Sequence, residues 1–126
     1  MKHQHLSGQR VLVVEDEAMV SMMLEDLLEE IGCVVAGTAA RLDQALRQAE
    51  TSDIDCAILD LNLDGQLTYP VADILMLRGT PFIFLTGYGH SALPERYQQV
   101  PTLHKPFFPQ ELERWLATIV RPREQR

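Results

Sequence analysis

The sequence predicts a single doubly wound α/β domain, and three observations carry that prediction. A short apolar run followed by an amphipathic stretch recurs along the 126 residues. The runs are apolar throughout instead of at every second residue, which indicates a sheet covered by helices on both faces. Polar side chains close most of the runs, at the edge where such sheets bind ligands. The chain length fits one domain with its own core.

The first half of the chain is expected to contain three strands and two helices. Each strand is a short apolar run, and each helix repeats its apolar residues at helical spacing. Gly32 ends the first helix, and Asp60 closes the third strand. The expected elements are strand 11–14, a helix carrying Val20, Leu24, Leu27 and Ile31, strand 33–37, a helix carrying Leu42, Ala45, Leu46 and Ala49, and strand 57–59.

The second half repeats this alternation after a polar loop that contains Asp64 and Gly65. Pro70 fits the first turn of the third helix, where a missing N–H is harmless, and Gly79 ends that helix. The further expected elements are a third helix near 71–77, strand 82–85, a glycine-rich loop at 86–89, a short helix near 94–99, strand 102–104 and a last helix carrying Leu112, Trp115, Leu116 and Ile119. Strands separated by helices predict parallel crossovers.

Composition narrows the classes of function. Acidic residues outnumber basic ones by 18 to 11, and the net charge of -7 would repel a phosphate backbone or an anionic membrane surface. Cys33 and Cys56 stand singly in apolar stretches, which favours buried thiols in a reduced compartment. No apolar run approaches the ~18 residues of a membrane span, so a soluble, cytoplasmic protein is expected. Residues 1–8 are assigned to an N-terminal tail, 9–121 to the domain and 122–126 to a C-terminal tail.

Four of the expected strands end in polar residues that could share one pocket. The first ends in Glu15 and Asp16, the third in Asp60, the fourth in Thr86 and the fifth in Lys105. Neighbouring strands lie about 4.8 Å apart, so adjacent strands would bring these groups together. Crowded carboxylates raise one another's pKa unless a cation lies among them.

The chemistry of these residues favours a magnesium site that accepts a phosphoryl group. Ligands with oxygen alone favour Mg²⁺, and the Asn62 backbone carbonyl could add one to the carboxylates. Asp60, with a metal on one side, Lys105 on the other and the Thr86 hydroxyl nearby, is arranged as a phosphoryl-accepting nucleophile. Metal and ammonium would offset the charge of the incoming group.

At these residues the sequence resembles the receiver domains of two-component response regulators. The resemblance covers about residues 9–120 and implies a flavodoxin-like (βα)5 fold with strand order 2-1-3-4-5. It implies Asp60 as the phosphoacceptor, Glu15 and Asp16 as the acidic Mg²⁺ pocket, Thr86 as the switch hydroxyl and Lys105 as the phosphoryl partner. The Lys-Pro bond of the family is usually cis, so Lys105-Pro106 is expected to be cis.

A narrower resemblance runs through Phe84-Leu85-Thr86-Gly87-Tyr88. This segment is similar to an atypical receiver subgroup with a Phe-Ala-Thr-Gly-Tyr signature, with Leu85 in place of the Ala. Thr102 stands where the usual receiver has an aromatic residue, so the usual coupling between threonine and aromatic cannot operate. Tyr88 is the candidate moving aromatic, although static packing there is an equal alternative.

Other interpretations of single residues were weighed. Asp16 could simply cap the first helix. The run from Asp60 to Gly65 resembles the start of a calcium loop, but its twelfth position is Val71 instead of Glu. A haloacid dehalogenase-like phosphatase would need a second Asp where Asn62 stands, so its general acid would be missing.

The sequence therefore predicts a stand-alone receiver that takes a phosphoryl group from a sensor histidine kinase or a phosphotransfer protein onto Asp60. It would signal by phosphorylation-dependent binding of a downstream protein or by phosphorelay, with no nucleic acid or membrane as a partner. The chain would be no enzyme beyond its own phosphorylation and dephosphorylation. The alternative is a small Mg-dependent aspartyl-phosphate phosphatase, and a degenerate receiver that binds partners without phosphorylation is less favoured.

Overall fold

A computed structural model describes residues 4–87 and 93–122. Seven strands and four helices follow one another in these residues. The strands are β1 (Arg10–Val14), β2 (Val34–Ala39), β3 (Cys56–Asp60), β4 (Asn62–Leu63), β5 (Gln66–Leu67), β6 (Phe82–Thr86) and β7 (Thr102–His104). The helices are α1 (Ala18–Glu30), α2 (Leu42–Thr51), α3 (Tyr69–Arg78) and α4 (Pro109–Ile119).

Five of the strands form one parallel sheet in the order β2-β1-β3-β6-β7. With the small β4-β5 hairpin set aside, this is the 2-1-3-4-5 order that the sequence analysis expected, and the doubly wound fold is confirmed. The parallel arrangement places the last residues of β1, β3, β6 and β7 along one edge, which is the carboxyl edge of the sheet.

Alternate residues of each strand enter two separate cores. Leu12 and Val14 of β1 pack on the face covered by α2 and α3, while Val11 and Val13 pack on the face covered by α1 and α4. Successive side chains of a strand point to opposite faces, so a strand buried on both sides must be apolar at every position. The continuous apolar runs of the sequence follow directly from these two cores.

The polar loop after β3 contains a two-residue hairpin that the sequence analysis did not anticipate. Asn62 pairs with Leu67 and Leu63 with Gln66. Asp64 and Gly65 form the turn with φ of 49° and 91°. Two successive positive φ values match the right-handed twist of a hairpin, and Asp-Gly is a favoured pair for them. The hairpin therefore closes next to the carboxyl edge of β3.

The helix expected near 94–99 is only a single 3-10 turn, Glu95–Tyr97. Pro94 and Pro101 bracket this segment, and Tyr97 is its fully buried side chain. Fixing a longer helix costs conformational entropy that one buried residue does not offset. The chain therefore makes one turn here and enters β7.

Part of the segment assigned to the N-terminal tail packs against the domain. Gln4–Leu6 form a 3-10 turn, and the Leu6 side chain is fully buried. His5 Nε2 lies 2.9 Å from the Ala117 carbonyl oxygen, and the buried Gln9 side chain donates to the Arg121 carbonyl oxygen at 3.0 Å. The buried Leu6 side chain and these two contacts together hold this segment against the domain. Among the described residues, no helix combines the length and the apolar character needed to span a membrane.

Candidate functional site

Asp60 is the last residue of β3 and lies at the carboxyl edge of the sheet. It is buried, and its Oδ1 accepts a hydrogen bond from the Asn62 backbone N–H at 3.1 Å. The Asp60 carbonyl oxygen accepts a bond from the buried Thr68 hydroxyl at 2.7 Å. The turn that starts the hairpin and the residue that precedes α3 thus hold Asp60 from both sides.

The turn between β1 and α1 brings three acidic residues to the same edge. Glu15 is buried, and its Oε2 accepts a hydrogen bond from the Glu17 backbone N–H at 3.0 Å. One carboxylate oxygen from each of Glu15, Asp16, Glu17 and Asp60 lies within 4.8 Å of the others. We call these four residues together with Lys105 the acidic pocket. Asp16 does not cap α1, because the N-cap residue is Glu17 and no side chain bonds there.

Lys105 supplies the one ammonium group of the acidic pocket. Its Nζ lies 2.7 Å from Glu15 Oε1, 2.9 Å from Asp60 Oδ2 and 3.3 Å from Glu17 Oε1. Burial alone would lower the pKa of Lys105, but the contacts with Glu15 and Asp60 outweigh it and raise that pKa above its ordinary value. The ammonium is therefore charged at neutral pH. The Lys105-Pro106 bond is cis, as expected.

The Glu15 carboxylate has a raised pKa in the acidic pocket. Burial raises the pKa of Glu15 to about 7, and the contact with Lys105 opposes this effect without cancelling it. The neighbouring Asp60 carboxylate acts in the same direction as burial, and the value of about 7 includes its effect. The protein alone thus leaves this carboxylate short of positive charge near neutral pH.

The donor atoms of the acidic pocket fit a hard divalent cation. The buried Glu15 Oε1 has no well-directed hydrogen bond, although Lys105 Nζ is close to it. All the side-chain donors are carboxylate oxygens, which Mg²⁺ prefers. A cation in the pocket would also stabilise the ionised form of Glu15, whose pKa is raised in its absence. Asp16, Asp60 and Glu15, with the Asn62 backbone carbonyl, are the residues that would hold it. Their individual roles stay predictions.

Thr86 reaches the same edge, where its hydroxyl bonds to the backbone and not to Asp60. It is the last residue of β6, one beyond Leu85, which pairs with Asp60. Its buried hydroxyl donates to the Gly87 carbonyl oxygen at 3.3 Å, and its own carbonyl oxygen accepts the Lys105 backbone N–H at 2.8 Å. The Thr86 hydroxyl is therefore bonded to the backbone in this conformation. Tyr88, the candidate moving aromatic, lies outside the described residues.

Glu17 is the residue of the acidic pocket that the sequence analysis missed. It comes one position after the paired acids that closed the first strand, at the start of an expected helix, where acidic residues are common for helix stability alone. Three acidic residues in a row at 15–17 were the available signal.

A second polar cluster fastens the chain between β6 and β7 to α3. The Tyr97 hydroxyl bonds to the Asp73 carboxylate and lies 3.0 Å from the Tyr69 carbonyl oxygen. The Tyr97 ring stacks on Tyr69 with a centroid distance of 5.2 Å. Arg96 pairs with Asp73 at 3.1 Å and lies 4.4 Å from the centre of the Tyr97 ring. We call these four residues the tyrosine anchor.

The parallel sheet and the acidic pocket at its carboxyl edge are the features expected of a receiver domain, and comparison with known families supports this class. A family model of the response regulator receiver domain matches residues 11–117. The match covers most of the chain, so this chain belongs to the receiver domain family of two-component signalling.

The chain is moderately similar in sequence to a curated regulatory protein. The chain is 32% identical over 102 residues to the transcriptional regulatory protein PdtaR of Mycobacterium tuberculosis, a match over 78% of this chain and 50% of that protein. This chain thus spans about half the length of that curated relative.

Two solved structures add to the comparison. The solution structure of SdrG from Sphingomonas melonis has a TM-score of 0.80, is 39% identical and covers 91% of this chain and 97% of its own. The receiver domain of a sensor histidine kinase from Pseudomonas aeruginosa, described with magnesium coordinated in its active site cleft, has a TM-score of 0.72 at 26% identity. It covers 90% of this chain and 98% of its own.

Proposed function

We propose that this chain accepts a phosphoryl group onto Asp60 from a phosphohistidine of a sensor histidine kinase or a phosphotransfer protein. The observation that carries the proposal is the Asp60 carboxylate held 2.9 Å from the Lys105 ammonium, among further carboxylates, at the carboxyl edge of the sheet. Family membership makes this reaction the expected one, and the geometry supports Asp60 as the acceptor.

The reaction needs positioning and charge more than it needs proton transfer. An Asp60 carboxylate oxygen attacks phosphorus to form an acyl phosphate, the phosphorus–nitrogen bond to the donor imidazole breaks, and the leaving nitrogen takes up a proton from water. Lys105 would offset the charge of the phosphoryl oxygens. Mg²⁺, when bound, supplies further positive charge and helps to orient the incoming group.

The residues that would hold Mg²⁺ are Asp16, Asp60 and the Asn62 backbone carbonyl, with Glu15 binding directly or through water. The Pseudomonas aeruginosa receiver domain gives a solved precedent for magnesium in such a cleft. Glu15 has one methylene group more than the Asp of many receivers, which gives its carboxylate the reach for either mode of binding.

The phosphorylated domain would signal through a change in the surface that binds other proteins. After phosphorylation, Thr86 and Lys105 would rearrange around the phosphoryl oxygens and bias the segment that follows β6 between two arrangements. A downstream protein that prefers one arrangement would then bind with altered affinity. Phosphorelay to a further phosphotransfer protein would use the same acyl phosphate.

Intact mass after incubation with acetyl phosphate and MgCl₂ tests the proposal. We expect one phosphoryl group on the wild type and none on Asp60→Asn. Asp64→Asn is the matched control, because Asp64 is exposed in the adjacent hairpin and Asn tolerates its positive φ. Asp64→Asn should be labelled like the wild type. A phosphoryl group on Asp60→Asn would place the acceptor elsewhere.

A second incubation, with p-nitrophenyl phosphate, separates the receiver from the phosphatase alternative. A receiver takes up one phosphoryl group per molecule, whereas a phosphatase turns over small phosphomonoesters continuously. Sustained release of phosphate from p-nitrophenyl phosphate, lost in Asp60→Asn, would favour the phosphatase.

A further inference from the structure

We propose that Glu17 is a positioning residue for Lys105: its carboxylate shares the ammonium with Asp60, which strengthens Mg²⁺ binding and slows phosphoryl transfer to Asp60. This inference rests on the proposed function, because it concerns the rate of that transfer. Glu15 also contacts the Lys105 ammonium, at 2.7 Å, but its side chain is buried, whereas the Glu17 side chain is 65% exposed and carries its charge at the solvent side of the acidic pocket.

The first support is the geometry around Lys105. Its side chain is 18% exposed and contacts three carboxylates, of which Glu17 is the outermost at 65% exposure. The Glu17 backbone is fixed, because its N–H donates to Glu15 Oε2 at 3.0 Å. Its side chain makes no capping bond to α1, so it is available to Lys105.

The second support is the balance of charge. Four carboxylates face a single ammonium in the acidic pocket. With Glu15 ionised, a divalent cation leaves one negative charge uncompensated, and an incoming phosphoryl group adds another. The Glu17 side chain is 65% exposed, so its charge faces the solvent from which any phosphoryl donor must come. Its charge therefore attracts the metal and repels the donor.

The Glu17 charge is expected to raise Mg²⁺ affinity and to lower the rate of phosphoryl transfer. Because these two effects have opposite signs, the inference can be tested. Without the Glu17 charge, the metal loses part of its attraction, while Lys105 becomes freer to contact the phosphoryl oxygens. Because Glu17 is largely exposed, solvent and salt screen both effects, and each should be a few-fold and should shrink as ionic strength rises.

The test compares Glu17→Gln with Glu29→Gln. Both substitutions remove one negative charge from exposed positions at the two ends of α1, and Glu29 lies about 18 Å along the helix from Glu17. Mg²⁺ affinity is read from amide chemical shifts during titration of the metal-free protein with MgCl₂. The labelling rate is read by intact mass with acetyl phosphate at saturating MgCl₂.

For Glu17→Gln we expect Mg²⁺ affinity to fall and the labelling rate to rise, each by about two- to fivefold relative to Glu29→Gln. Glu17→Asp keeps the charge and should return both values towards the wild type. If both values fall together, Glu17 only supports the local structure and the inference is wrong. Equality of Glu17→Gln and Glu29→Gln also overturns it, while labelling of the wild type would leave the proposed function intact. A wild type that takes no label would overturn both.

Discussion

The acidic pocket and the tyrosine anchor each pair an aspartate with a cationic side chain, yet their charges are balanced differently. In the tyrosine anchor, Asp73 bonds to the Tyr97 hydroxyl and pairs with Arg96. In the acidic pocket, Asp60 and three further carboxylates share Lys105. The anchor completes its bonds with its own residues, whereas the pocket has an excess of negative charge.

The pKa values report the same difference. In the anchor, the hydrogen bond from Tyr97 and the pairing with Arg96 lower the pKa of Asp73, while burial and Asp73 raise the pKa of Tyr97 to about 12. Both groups are thereby held in their ordinary charge states. In the pocket, burial raises the pKa of Glu15 to about 7, so this carboxylate is poised between charge states. A shortage of local positive charge distinguishes a site built for a ligand from a structural contact.

The largest expected effect comes from breaking the tyrosine anchor. Tyr97 is fully buried and packs against Tyr69 and Phe84, with a ring centroid distance of 5.5 Å to Phe84. Tyr97→Ala should lower the free energy of unfolding by about 3–5 kcal/mol, because a large cavity forms in the core. Urea denaturation followed by circular dichroism measures this loss.

The matched variant Tyr97→Phe keeps the ring and removes only the hydroxyl. It should cost about 1 kcal/mol, since the packing stays while the bond to Asp73 is lost. Both variants should keep Mg²⁺ binding, which belongs to the acidic pocket. Equal losses from the two variants would mean that the hydroxyl contacts, and not the packed ring, hold the segment between β6 and β7.

An effect smaller than that of Tyr97→Ala is expected from Glu15 in metal-free protein. The folded pKa of about 7 lies above the ordinary value of 4.5, so the folded state holds this proton more tightly than the unfolded chain. The resulting stabilisation is complete below about 4.5 and is lost as the pH rises through about 7. Glu15→Gln cannot titrate and lacks this dependence.

Urea denaturation in EDTA at acidic and at mildly basic pH measures the difference. Relative to Glu15→Gln, the wild type should lose about 3 kcal/mol of unfolding free energy as the pH rises through this window. Saturating MgCl₂ should remove most of that loss, because the cation stabilises the ionised carboxylate. A constant gap between the two proteins across the window would contradict the raised pKa.

The strands of the sheet and most residues of the acidic pocket could be predicted from the sequence, because apolar runs mark the strands and the pocket residues follow the ends of those runs. Continuous apolar runs mark strands buried on both faces, and the residue that closes each run must lie at the carboxyl edge. Asp60 closes such a run, whereas Lys105 follows the weakly apolar strand 102–104, so its approach to Asp60, 45 positions away, also depended on an assumed strand order. The cis Lys105-Pro106 bond was expected only from the resemblance.

Contacts made by single side chains across the fold could not be predicted in this way. Tyr97 and Asp73 are 24 positions apart, and no periodic pattern connects them. The contact of Glu17 with Lys105 depends on how far two long side chains reach. The hairpin was missed for a different reason. Asp64-Gly65 favours such a turn, but the two-residue strands on either side are too short to show an alternating pattern.

Chemical localisation of the phosphoryl group tests the central claim most directly. Borohydride reduces an acyl phosphate to an alcohol, so it converts a phosphorylated aspartate into homoserine and leaves a free carboxylate unchanged. Wild-type protein, labelled with acetyl phosphate and MgCl₂ and then reduced, should yield homoserine at position 60 alone when its peptides are mapped by mass. Homoserine at another position, or labelled protein in which Asp60 is recovered unchanged, would contradict the account.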